Sequence, residues 1–156
     1  MRCYAVAAAA TAAGWRVGLA TRDPDAAALD RWRDLGAEVA ALGGAFDDVA
    51  ELIATAERLG AGTLVIDRYD LDPSVFEGLA AHGFRLAVFD DLATIDPPCD
   101  LLINANPGAD RRFATAHRRA RRCLLGAAHT AIRPEIATAE AVGGGGVLIS
   151  LGGGAA

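Results

Sequence analysis

Residues 63–91 read TLVIDRYDLDPSVFEGLAAHGFRLAVFDD, and their pattern decides the fold class. Thr63-Leu64-Val65-Ile66 is a continuous apolar, β-branched run, the pattern of a buried parallel strand. Asp72-Pro73 is a helix start, with the aspartate as N-cap and proline in the first turn. Ser74 to His82 then read as helix, and Gly83 stops it. Arg85 to Phe89 form the next strand, ending in Asp90-Asp91. A strand, a helix of about ten residues and a second strand make a crossover unit, which requires a parallel sheet.

The same alternation extends in both directions. Upstream, residues 2–13 read as an alanine-rich helix closed by Gly14, and Arg16 to Ala20 as a short strand. A helix capped by Asp23 and Pro24 runs to about Leu35, and Glu38 to Leu42 form another strand. Phe46 to Leu59 carry Val49, Leu52, Ile53 and Ala56 at helical spacing. Downstream, Leu101 to Ile103 form a strand ending at Asn104. A helix near Arg111 to His117, a strand at Cys123 to Leu125 and a helix near Pro134 to Ala141 follow. The expected fold is α/β: a Rossmann-like parallel sheet with helices on both faces. Three parts are expected, a Rossmann-like domain over 1–142, a glycine linker at 143–146, and the start of a second domain over 147–156, where Val147 to Leu151 read as a strand.

Composition narrows the function. The chain has 156 residues and a formal net charge of -5. All 15 basic residues are arginine, and a negative chain is a poor match for nucleic acid. No apolar run approaches the ~20 residues of a membrane span. Met1-Arg2 before a small-residue run has the outline of a weak signal peptide, but alanine suits a helix better than a signal core. Cys3, Cys99 and Cys123 are too widely spaced for a metal or redox pair and read as free thiols in a reducing cytoplasm.

In parallel sheets, ligands sit beyond the carboxyl ends of the strands. Polar residues collect there: Asp67, Tyr69 and Asp72, then Asp90 and Asp91, then Asn104 and Asn106. Asp72 reads as a cap, while Asp67 and Tyr69 are candidates for orienting a hydroxyl or water. Adjacent Asp90 and Asp91 without a third ligand do not make a metal site; one carboxylate facing the cleft and the other fixing the loop backbone is expected. Asn104 and Asn106 flank a turn and are ligand candidates that can equally satisfy their own backbone. The arginine run 118–122 reads as a solvated helix end, and His129 as a packing residue. Gly152 and Gly153 read as the start of a phosphate-binding loop. No catalytic triad, metal or cofactor is read.

An ordered series of segments carries a resemblance: Met1-Arg-Cys3, Val65 to Asp72, Val88 to Ala93, Cys99 to Asn106, Leu124-Leu-Gly126, Ile132-Arg-Pro-Glu135 and Leu148 to Gly153. It resembles the UDP-2,4-diacetamido-2,4,6-trideoxy-β-L-altropyranose hydrolases of pseudaminic acid biosynthesis and the related spore-coat polysaccharide proteins. The resemblance implies the amino-terminal half of a GT-B-like fold, with sugar-side groups in this half and UDP held by a second domain. It implies metal-free, inverting hydrolysis of a UDP-sugar. The family pattern opens with a strand and a G-x-G-H loop bearing the key histidine, and these have no counterpart here. The expectation is therefore a chain that lacks the first strand and most of the nucleotide-binding domain, and is inactive alone. A glycosyltransferase, or a half-domain that pairs with a separate carboxyl-terminal chain, are the alternatives.

Overall fold

The computed structural model describes residues 2–22, 26–45, 47–113, 115–116 and 118–140. The Asp23-Pro24 cap, the 143–146 linker, the expected strand Val147 to Leu151 and the loop with Gly152 and Gly153 lie outside them.

The chain is α/β with parallel pairing throughout. In order it forms α1 (Arg2–Ala12), β1 (Gly18–Thr21), α2 (Ala26–Asp34), β2 (Glu38–Ala41), α3 (Val49–Arg58), β3 (Thr63–Ile66) and α4 (Pro73–His82). β4 (Arg85–Phe89), β5 (Leu101–Asn104), α5 (Ala109–Arg112), β6 (Cys123–Leu125) and α6 (Pro134–Ala137) follow, with a 3-10 turn at Ala127–His129. The strands fall into two groups, β1-β2 and β3-β4-β5-β6. No described helix is long and apolar enough to cross a membrane.

The core lies between α4 and the middle of the larger sheet. Val75, Phe76 and Leu79 of α4 pack on Leu86 and Val88 of β4, Leu102 of β5 and Cys99, with Val49, Leu52 and Ile53 of α3 at its margin. Side chains alternate along a strand, so Phe89 projects to the opposite face from Leu86 and Val88. The Arg2 guanidinium at the start of α1 lies 4.6 Å from the Phe89 ring centroid, so helices cover both faces. Tyr4 meets Trp32 edge-on at 5.7 Å, tying α1 to α2.

Local signals set most boundaries. Asp72 accepts a 2.8 Å hydrogen bond from the Ser74 amide and caps α4, which Gly83 closes at φ 102°. Asp48 caps α3 through the Glu51 amide, and the Glu51 carboxylate returns to the Gly43 and Gly44 amides at 2.6 and 2.8 Å. Two expected helices are shorter than their sequence pattern. Among the described residues, the segment expected at Arg111 to His117 is helical over Ala109–Arg112, entered from Gly108 and ended by Phe113 at φ -124°. The one expected to reach Ala141 ends at Ala137, where the Thr138 hydroxyl bonds back to the Pro134 carbonyl at 2.9 Å.

One expectation is corrected. β3 is parallel but not buried: Val65 is 41% exposed, while Val88 on the neighbouring strand is fully buried. The reason is position. β3 has β4 on one side and no strand on the other among the described residues.

Helices α3 and α4 approach closely at Gly78. A β-carbon there would stand 2.6 Å from Val49 Cγ1. Alanine normally gains about 1 kcal/mol over glycine inside a helix. Overpacking costs about 1–3 kcal/mol. Gly78→Ala is therefore expected to destabilise the chain in urea unfolding, and combination with Val49→Ala to cost less than the sum of the two. A stabilised Gly78→Ala would contradict this packing.

Candidate functional site

The carboxyl ends of β3 and β4 converge on one cation, Arg2. Its Nε and Nη2 donate to the two Asp67 oxygens at 2.9 and 2.6 Å, the two-pronged geometry that arginine offers a carboxylate. Its Nη1 donates to Asp91 Oδ2 at 2.5 Å. The Tyr69 hydroxyl accepts from Arg2 Nη2 and donates to the same Asp91 oxygen at 2.7 Å. Asn106 Nδ2 donates to the Asp91 main-chain carbonyl at 3.1 Å, bringing in the loop after β5.

The network is half-buried. The side chains of Arg2, Asp67 and Asp91 are 24%, 21% and 22% exposed. Hydrogen bonding to Asp67 raises the Arg2 guanidinium above the ordinary arginine value, against burial, which works the other way. Burial, followed by the bond to Asp91, holds the Tyr69 phenol above its ordinary range. At neutral pH the site therefore presents a fixed cation and a neutral phenol.

The structure divides the six strand-end candidates into two sets. Asp67, Tyr69, Asp91 and Asn106 belong to the network. Asp90 is buried and accepts from the Leu92 and Ala93 amides at 3.1 and 2.9 Å. This fixes the loop backbone and holds Ala93 at φ 53°, a left-handed conformation unusual for alanine. Asn104 is fully buried, and its Oδ1 accepts from the Asn106 amide at 3.2 Å. The acidic neighbours thus serve different partners, and among the described residues no group of acidic, histidine and cysteine side chains could hold a metal ion.

A concavity of about 430 Å³ adjoins the network and shares Arg2 with it, its other walls being Ala131, Ile132, Arg133 and Ile136. Ile132 and Ile136 are 54% and 53% exposed. The site thus joins apolar walls to oriented polar groups, the usual make-up of a small-molecule pocket. Arg2 and this wall were not among the candidates read from the sequence. An arginine opening an alanine helix reads as a plain basic start, and its carboxylate partners lie 65 and 89 residues away.

The remaining candidates stand apart. His129 is exposed, so it is not the packing residue expected from the sequence. His82 meets Glu57 at 3.1 Å. The arginine run 118–122 is bend and coil rather than the helix end expected from the sequence; within it Arg119 bonds Glu77 at 2.6 Å and Arg121 bonds Asp100 at 3.2 Å. Cys3, Cys99 and Cys123 form no disulfide among the described residues.

Cys3 lies beside the network, 3.8 Å from Asp67 Oδ2. Burial, then the Asp67 charge, pushes its thiol up to about 11 from an ordinary 9.0. The folded state therefore holds this proton more tightly than the unfolded one. The stability it contributes is complete below pH 9.0 and is lost as pH rises towards about 11. Iodoacetamide alkylation of native Cys3, read by peptide mass spectrometry, is expected to be slow at pH 8 and still accelerating beyond pH 9.0. A plateau near pH 9.0 in the folded chain, as in urea, would contradict the burial. No protein-family model matches the chain, and no curated protein matches it.

Proposed function

We propose that this chain is the sugar-side domain of a nucleotide-sugar enzyme of the UDP-2,4-diacetamido-2,4,6-trideoxy-β-L-altropyranose hydrolase kind. The observation that carries the reading is convergence. Arg2, Asp67, Tyr69, Asp91, Asn106 and the Ile132-Arg133 wall come from five of the segments that carry the resemblance, and they border one site.

The chemistry suits an acetamido, deoxy sugar. Carboxylates and a phenol on a sheet edge accept and donate to ring hydroxyls and amide groups. Ile132 and Ile136 offer apolar surface to methyl groups. Arg2 fixes Asp67 and Asp91 in place, so little ordering remains to be done on binding. Neither His82 nor His129 enters this network, so its role is to position the sugar. The attacking water and the UDP belong to groups outside it.

Saturation-transfer NMR with UDP-2,4-diacetamido-2,4,6-trideoxy-β-L-altropyranose tests this. Saturation is expected on the acetamido and ring methyl protons, without release of UDP, and is expected to fall about tenfold in Asp91→Ala. No saturation of the sugar would overturn the assignment. UDP release by the chain alone would overturn the positioning role, because one of its own residues would then activate water.

A further inference from the structure

The concavity beside the network is walled by two arginines and three apolar residues, Arg2, Ala131, Ile132, Arg133 and Ile136. Among the described residues no carboxylate lines it, in a chain whose net charge is -5. The two cations differ in what they have left to offer. Arg2 is committed to the fold. Its Nε, Nη1 and Nη2 are bonded to Asp67, Asp91 and Tyr69, and its two carboxylate partners outnumber its charge.

Arg133 is held differently. Pro134 follows it, and a residue before proline is kept out of the helical region. Arg133 accordingly stands extended, at φ -64° and ψ 141°, where the chain enters α6. Among the described residues its guanidinium has one charged partner, Glu135, through a single Nη1–Oε1 contact of 3.2 Å. The arginine side chain is 29% exposed and the glutamate 56%. A one-pronged pair with so exposed a carboxylate is weak and exchanges readily. The planar guanidinium carries several N–H donors, so this pair leaves most of them to be filled.

We propose that the concavity binds the phosphate group of a phosphate ester, with Arg133 as the anion contact and Ile132 and Ile136 against the apolar part of the ester. The charge pattern selects the class. A carboxylate ligand would only exchange Glu135 for its equal. A phosphate monoester carries about two charges and several acceptor oxygens, and a guanidinium grips it in two-pronged form. Glu135 is then a competitor built into the wall, displaced when phosphate arrives. Ile132 and Ile136 are both more than half exposed, and bare phosphate would leave them so; an ester group covers them. With the sugar-side reading proposed above, on which only the identity of the ester rests, this phosphate is the one joined to the sugar.

Titration of phenyl phosphate and of inorganic phosphate at about pH 8, where both are dianions, tests this by 31P line broadening. Phenyl phosphate is expected to bind at millimolar concentration and more tightly than inorganic phosphate. Arg133→Gln is expected to weaken it about tenfold, the loss of a charge-assisted contact. Glu135→Gln is expected to strengthen it about threefold, a gain that unfolding cannot imitate. Ile136→Ser is expected to weaken phenyl phosphate and leave inorganic phosphate unchanged. Unchanged binding in Arg133→Gln, unchanged or weaker binding in Glu135→Gln, or no broadening of phenyl phosphate would overturn the proposal. So would equal losses of both probes in Ile136→Ser, as regards the apolar wall. Phenyl phosphate carries no sugar, so this result stands or falls separately from the sugar reading.

Discussion

The clamp of Arg2 between Asp67 and Asp91 is the contact on which the arrangement of the molecule rests. Among the described residues no hydrogen-bond ladder joins β1-β2 to β3-β6. Cohesion between the two halves therefore falls on helix packing and on side chains that cross between them. Arg2 opens the helix that feeds β1, and its guanidinium ends on carboxylates that follow β3 and β4. A surface ion pair contributes little, about 0–1 kcal/mol. This cation is about three-quarters buried, lies against Phe89 and uses both oxygens of Asp67, so removing one partner leaves a partly buried charge unpaired and costs more than breaking an exposed pair.

The hydrophobic core explains why the larger sheet holds its strand ends in register. Phe76, Leu79, Leu86, Val88 and Leu102 are all essentially excluded from water and fix α4 against β4 and β5. That packing sets where Asp90 and Asp91 emerge. Asp90 then locks the next turn through two amides, and Asn104 does the same for the turn after β5. With both loops fixed from below, Asp91 and Asn106 meet above them. Rigid strands and buried loop anchors thus place the polar groups that gather at the carboxyl ends of β3, β4 and β5.

Much of the fold is legible in the sequence because its punctuation is local. Asp72-Pro73 and Gly83 bracket α4 through a cap bond and a left-handed residue, both determined within a few residues. The apolar run at Thr63 to Ile66 marks a parallel strand for the same reason. Its burial could not be read that way, since burial depends on what pairs at its outer edge. The short α5 and α6 are similarly set by Phe113 and Thr138 rather than by periodicity. At the site, the carboxylates were legible from their place after strands. The cation that joins them was not, because its partners are distant in the chain and its own neighbours are alanines. A lone arginine at the start of a helix, facing unpaired strand-end carboxylates, was the available signal.

A double-mutant cycle on Arg2 and Asp91 tests the clamp most directly. Urea unfolding of Arg2→Met, Asp91→Asn and the double variant gives the coupling between the two side chains, free of their separate effects on the fold. A coupling of about 1–3 kcal/mol is expected for groups that share one hydrogen-bonded network. Additivity within about 0.3–0.5 kcal/mol would mean that Arg2 does not bind α1 to the end of β4. The site would then be a set of independent surface groups.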